Sequence, residues 1–159
     1  MNAYLNSLPA PAGVAGDRAA AKRGEAAFEV SCTTCHNSDQ GKRLPSMIVP
    51  MATIFPGDRP VILAQRTPPL NPVMNTAESI FDDKMAVVNA SLRGLERGIA
   101  MPLLLDLARK PVFLHDNSVP DLESLLNPRR GATEPHPFYV TDDATRSDVV
   151  AFLKSLGAK

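Results

Sequence analysis

Two cysteines and a histidine lie close together in the segment Cys32-Thr33-Thr34-Cys35-His36. This is the CxxCH pattern through which proteins bind a c-type haem covalently. Two thiols at this spacing can add to the two vinyl groups of one porphyrin, and the histidine that follows them then lies under the iron. The pattern predicts one covalent haem c, with Cys32 and Cys35 as the attachment residues and His36 as an iron ligand.

Zinc binding and thiol redox chemistry are the alternatives for such a cysteine pair. A structural zinc site takes four ligands, and the chain offers only three histidines to complete one. A thioredoxin-like redox pair stands in a βαβ setting, which the surrounding sequence lacks. Haem attachment is therefore the favoured interpretation.

The iron of a cytochrome commonly takes a methionine or a second histidine on its other face, and this ligand helps to set the potential. The remaining histidines are His115 and His136. Of the six methionines, Met51 and Met101 stand next to prolines, which stiffen a loop that presents sulfur to iron. A single methionine is more often core filling than a ligand. The residues by themselves leave both types of ligand open.

The two propionates of a haem also need partners. Arginine binds carboxylates in a fork, and three arginines follow the cysteine pair in the loop-rich part of the chain: Arg43, Arg59 and Arg66. Any single arginine is more often a solvated surface residue than a propionate partner. We expect one of the three to bind a propionate.

Helix signals stand at both ends of the chain. Asp17 can cap a helix that runs to about Ser31 and leads directly into the cysteines. The last helix shows apolar residues at helical spacing and ends at Gly157, a usual C-cap residue. Its first residue is one of three capping candidates, namely Asp142, Asp143 or Thr145.

The middle of the chain is predicted to be rich in loops. Seven prolines between positions 37 and 72 exclude regular helix there, because proline lacks the amide donor and clashes with the preceding turn. Helices are predicted from about Thr76 to Arg93, and from a Ser118 cap until Pro128. The predicted fold class is mainly α, with long Pro-rich loops.

Charge and hydropathy exclude some kinds of function. The 17 basic and 17 acidic residues balance, and no basic stripe suggests a nucleic-acid partner. No apolar run reaches membrane-spanning length. Residues 1–16 lack the basic and apolar regions of a secretory signal, whereas covalent haem attachment normally occurs outside the cytoplasm. We therefore expect a periplasmic or otherwise exported protein, with residues 1–16 as a linker or the tail of a preceding domain.

Several segments resemble one family of haem proteins. The segment KPVFLHDNSVPDLE, residues 110–123, is similar to the PYxHDGSVPTLE segment of the bacterial di-haem cytochrome c peroxidase superfamily. The likeness extends to residues 23–28, to the CxxCH segment and to residues 151–156, and so covers most of residues 17–159. The resemblance implies that residues 17–159 form a cytochrome c-like helical domain around one haem, similar to the C-terminal haem domain of those proteins.

The same resemblance ranks the candidates for the second iron ligand. In the oxygenase-like branch of the superfamily, a GHEFG segment just before the last helix supplies a distal histidine. Pro135-His136-Pro137-Phe138-Tyr139 occupies that position here. Classical peroxidases use a methionine near this point, and this chain has none after Met101. The resemblance implies His136 as the distal ligand, with Met101 as the alternative, and places His115 near the haem without ligating it.

In c-type cytochromes the N-terminal and C-terminal helices cross. We therefore expect Gly24 and Phe28 of the first helix to contact Phe152 and Leu153 of the last.

Because an iron with two protein ligands has no position for substrate, the expected function is electron transfer. The chain would be a relay haem domain of a larger multi-haem, peroxidase-like protein, with a redox partner protein or an adjacent haem domain as its partner.

The alternative is a haem enzyme domain with an open distal site that acts on peroxide or dioxygen. Such a site needs acid–base groups beside the iron. Glu134 is the only carboxylate next to the proposed distal loop. The sequence therefore favours electron transfer over a peroxidase-like activity.

Overall fold

Helices account for most of the regular structure in this computed structural model, which describes residues 7, 12–38, 48–50, 53, 98–101, 104–114, 118–132, 134 and 136–157. In chain order the elements are α1 (Arg18–Ser31), β1 (Ile48–Pro50), β2 (Gly98–Ala100), α2 (Leu122–Leu125), a 3-10 helix (Pro128–Arg130) and α3 (Asp143–Ser155). The antiparallel strands β1 and β2 place Val49 opposite Ile99. The expectation of a mainly α chain is confirmed for the described residues. The helix predicted near residues 76–93 lies outside them, as does most of the Pro-rich stretch.

The chain divides into two compact units. The first consists of Met1–Leu44, Leu103–Lys110 and Ser147–Lys159, and the second of Pro45–Pro102 and Pro111–Arg146. Buried apolar side chains of the first unit are Phe28, Leu104, Val149, Val150, Phe152 and Leu153. Those of the second are Val49, Phe113, Val119, Leu122 and Leu126. The predicted domain boundary at residue 16 stays a prediction, although the Val14 amide donates to the Lys154 carbonyl of α3 at 3.0 Å.

α1 begins and ends where the sequence predicts. One carboxylate oxygen of Asp17 accepts hydrogen bonds from the amides of Ala19 and Ala20, at 2.8 and 3.1 Å. These bonds satisfy donors that have no partner within the helix and lower the pKa of the Asp17 carboxyl. Cys32 is the C-cap, and its amide donates to the Phe28 carbonyl at 2.8 Å. The helix therefore ends immediately before the CxxCH turn.

α1 and α3 cross at Gly24. A Cβ atom on this residue would collide with the Asp148 carbonyl and lie 2.8 Å from the amide nitrogen of Val149, so only glycine allows the approach. One turn later the rings of Phe28 and Phe152 pack with their centroids 5.4 Å apart. The predicted contact between the first and last helices is thus confirmed for Phe28 and Phe152, whereas Gly24 lies against Asp148 and Val149 of the last helix.

Gly24→Ala is expected to force the two helices apart. Overpacking of this kind lowers the free energy of unfolding by about 1–3 kcal/mol, which outweighs the gain of about 1 kcal/mol in helix propensity. Urea denaturation of the full chain measures the change. Gly16→Ala is the matched control, because a Cβ there meets nothing within 4 Å. Equal stabilities of the two variants would contradict the close crossing.

α3 begins at Asp143, and Asp142 caps it by accepting a hydrogen bond from the Thr145 amide at 2.7 Å. The helix ends at Ser155, two residues before the predicted end at Gly157, and Gly131 is the only described glycine with positive φ. A Cβ on Gly157 would instead collide with the backbone nitrogen of Gly13. Gly157 is needed for the close approach of that segment.

α2 begins later than the sequence predicts, and the expectation of a Ser118 cap is wrong. Phe113 and Val119 exchange backbone hydrogen bonds of 2.7 and 3.4 Å, which keeps Val119 extended. Asp121 is the N-cap instead, and its carboxylate accepts from the Ser124 amide at 2.6 Å.

None of the helices in the described ranges is long and apolar enough to cross a membrane.

Candidate cofactor-binding site

The predicted attachment residues form one turn directly after α1. The amides of Cys35 and His36 both donate to the carbonyl oxygen of Cys32, at 3.1 and 2.9 Å. The Thr33 hydroxyl donates back to the Glu29 carbonyl in α1 at 2.7 Å. These bonds continue the helix into the turn, so that two thiols and one imidazole are presented from a single hydrogen-bonded piece of backbone.

Both cysteine side chains are half-buried, and neither forms a disulfide. Burial, and then the neighbouring Cys35, raise the pKa of the Cys32 thiol. Thioredoxin-like exchange depends on a thiolate with a lowered pKa. The environment of Cys32 produces the opposite shift and keeps the sulfur protonated at neutral pH. This disfavours the redox-pair interpretation and is compatible with a thiol that adds across a double bond.

His36 lies beside the aromatic contact between α1 and α3. Its ring centroid is 6.3 Å from that of Phe28, whose other neighbour is Phe152 of α3. Burial lowers the pKa of His36, so the imidazole is neutral at pH 7 and its nitrogen lone pair can bind a metal. The crossing of α1 and α3 therefore supports the ring that the sequence predicts as an iron ligand.

The residues of this turn fit a c-type haem. The donor set consists of two thiols outside any disulfide and one neutral imidazole, which match the attachment and ligand groups of the CxxCH pattern. In the described part of the chain, no group of three or more histidine, cysteine, aspartate or glutamate residues is arranged to hold a metal ion.

The predicted distal ligand, His136, belongs to the second unit, in the segment between the 3-10 helix and α3. Its backbone has a φ of 57°, in the left-handed region, and Pro137 follows it. The ring is half-buried and meets the Phe138 ring edge to face, with centroids 5.4 Å apart. The assignment of His136 to the iron stays a prediction.

The other predicted site residues are only partly described. Met101 is half-buried and directly follows β2 in the second unit. Glu134 is exposed. The remaining candidates lie outside the described residues, and their roles stay predictions: Arg43, Arg59, Arg66, Met51 and His115.

Sequence reasoning missed Arg146, the one buried charged residue in the described part of the chain. The only local signal is Asp143, three residues earlier on the same helix, a spacing at which ion pairs form.

No family model, no curated protein and no solved structure matches the chain. The functional interpretation therefore rests on the residues and on their geometry.

Proposed function

We propose that the chain binds one c-type haem and serves in electron transfer, as a relay domain of a larger multi-haem, peroxidase-like protein. The observation that carries the proposal is the CxxCH turn, which combines two thiols and a neutral imidazole at the end of α1. The crossing of α1 and α3 supports a cytochrome c-like arrangement of the first unit. The family resemblance of residues 110–123 and 151–156 supports the relation to di-haem peroxidases.

Each residue of the turn has a distinct role in this proposal. The thiols of Cys32 and Cys35 form thioether bonds, in which S–H adds across a vinyl group and no atom is lost. The neutral imidazole of His36 binds the iron through a nitrogen lone pair, and Phe28 restricts the orientation of that ring. When bound, the haem supplies reversible one-electron chemistry, while the protein sets its burial, ligands and docking.

We assign the second iron position to His136. The Pro137 that follows restricts the backbone beside the imidazole and reduces the conformational freedom lost when the loop is ordered. A second histidine, in place of a thioether, lowers the potential of the iron. The electron partner is a redox protein or an adjacent haem domain, and attachment takes place in the periplasm or another exported compartment.

The direct test is the optical spectrum of the full chain, produced in a host with the machinery for c-type haem attachment. Electron transfer through a six-coordinate iron predicts a low-spin spectrum that carbon monoxide leaves unchanged in the reduced protein. A ready change with carbon monoxide would instead favour the enzyme domain with an open distal site. Haem that acid acetone extracts from the protein would contradict covalent attachment.

His136→Ala is expected to open the distal position, so that reduced haem binds carbon monoxide readily and the oxidised iron becomes high-spin. His115→Ala is the matched control and is expected to leave ligation intact. Absorption spectra of both variants provide the measurement. The weak far-red band of methionine–iron coordination in the wild type, or an unchanged spin state in His136→Ala, would transfer the assignment to Met101.

A further inference from the structure

The guanidinium of Arg146 is enclosed by three acceptors. Its Nε donates to a carboxylate oxygen of Glu123 at 2.5 Å, and its two terminal nitrogens donate to the Val140 carbonyl at 2.9 Å and to Asp143 at 2.6 Å. The side chain of Arg146 is only 7% exposed. A buried charge is costly unless it is paired and hydrogen-bonded. Here each of the three guanidinium nitrogens donates to an acceptor, and two of the acceptors are carboxylates. These bonds offset the cost of burying the charge.

The three acceptors come from three different parts of the second unit. Glu123 belongs to α2, Asp143 to the first turn of α3, and Val140 to the segment that connects the 3-10 helix to α3. The Val140 amide also donates to the Leu126 carbonyl at 3.0 Å. Val140 is therefore held at both its backbone groups, and Arg146 supplies one of the two bonds.

A further hydrogen bond links the residue beside Val140 to the start of the same segment. The Tyr139 hydroxyl donates to the carbonyl of Gly131 at 2.5 Å, and burial raises the pKa of this phenol, which favours the donating form. This single bond links residue 139 to residue 131, and Val140 beside it is bonded to Leu126 and Arg146. We name the segment from residue 131 to residue 140 the His136 loop, because His136 lies within it.

The His136 loop needs such anchors because its backbone is strained. A left-handed φ is unfavourable at a residue other than glycine and persists only where the surrounding structure enforces it. His136 has a φ of 57° and precedes Pro137, which further restricts its backbone. Without the anchors at Tyr139 and Val140, the loop can relax and move the imidazole.

We propose that Arg146 is a positioning residue for His136, which it holds in place through the carbonyl of Val140 and the carboxylates of Glu123 and Asp143. This inference rests on the proposed role of His136 as an iron ligand. Arg146 itself does not touch the iron in this proposal. It acts on the base of the loop that presents the ligand, as the outer partners of metal ligands do.

The test compares Arg146→Gln with Arg129→Gln, an exposed arginine of the 3-10 helix in the same unit. Carbon monoxide competes with His136 for one iron position, so a weaker His136 bond is measured as tighter carbon monoxide binding to the reduced full chain. Arg146→Gln is expected to tighten that binding by about 10-fold, the lower end of the effect of removing an outer partner. The oxidised protein is expected to gain a high-spin fraction. Arg129→Gln is expected to behave like the wild type.

A second comparison separates positioning from a general loss of stability. In a His136→Ala background the distal position is already open, so adding Arg146→Gln is expected to change carbon monoxide binding no further. Should Arg146→Gln fail to retain haem, Arg146→Lys replaces it. Lysine keeps the charge but lacks the planar fork, and the expected change has the same direction.

Each contrary result has a distinct meaning. Wild-type carbon monoxide binding in Arg146→Gln, or an equal shift in the His136→Ala background, would overturn the positioning role and leave the ligand assignment intact. Unchanged spectra for His136→Ala itself would overturn the ligand assignment, and the positioning role with it.

Discussion

Replacement of both Cys32 and Cys35 by alanine is expected to abolish covalent haem binding and to leave the chain poorly folded. The two thiols are the only sulfur groups of the chain that can form thioethers, because it contains no other cysteine. The chain has no tryptophan, six phenylalanines and two tyrosines, and three phenylalanines are among the eleven buried apolar side chains of the described residues. In the proposed function the porphyrin supplies the bulk that these side chains do not.

Acid-acetone extraction and the intact mass report attachment, and thermal unfolding followed by circular dichroism reports the fold. Thr34→Ala is the matched control, since Thr34 is an exposed residue of the same turn and its replacement preserves CxxCH. A Cys32→Ala, Cys35→Ala variant that melts cooperatively as a stable apoprotein would contradict the structural role of the haem. Covalent haem that persists in this variant would contradict attachment at these thiols.

Phe152→Ala is expected to lower the free energy of unfolding by about 3–5 kcal/mol, the usual effect of truncating a buried aromatic residue. The side chain is 5% exposed and packs against Phe28. Phe28 also contacts His36. The cavity left by the variant therefore borders Phe28, the side chain that packs against the predicted ligand. We therefore expect the loss of stability to be accompanied by a broader, less uniform haem spectrum.

Denaturant unfolding of the haem-loaded full chain gives the stability of this variant. Val30→Ala is the control for an apolar truncation in the same helix pair, because Val30 is 86% exposed on α1. Its expected effect is within about 0.5 kcal/mol. A similarly small loss in Phe152→Ala would show that Phe152 does not contribute to the core.

Some features of the chain could be predicted from neighbouring residues alone. The Asp17 cap, the end of α1 before Cys32 and the position of α3 depend on hydrogen bonds and periodicities that span only a few residues. The chemistry of the CxxCH turn is likewise local, since the two thiols and the imidazole follow one another along the chain. Such signals are readable because the interacting groups are close in sequence whatever the rest of the fold does.

The contact between α1 and α3 could be predicted only from the resemblance to c-type cytochromes, because its partners are far apart in sequence. Arg23 and Asp148 pair through two bonds of 2.7 Å across 125 positions. No local pattern identifies such partners. Periodicity predicts which face of each helix is apolar, and it does not predict against what that face packs.

Other features were decided by backbone contacts outside the helices themselves. Val119 is capable of entering a helix, but its backbone bonds to Phe113 delay α2 until Asp121. Gly157 carries the residue type of a helix cap, yet the close approach of Gly13 is what requires it. In both cases a contact outside the helix changes the role of a residue whose own type indicates something else.

The candidate site divides in the same way. The sequence alone determined the thiols, the imidazole and the helix that leads into them, because these groups follow one another within a few residues. Only the tertiary structure decided that Arg146 is buried and that it anchors the His136 loop. Its partners Glu123 and Val140 belong to other segments, and a charged side chain becomes buried only where the fold brings enough acceptors around it to replace water.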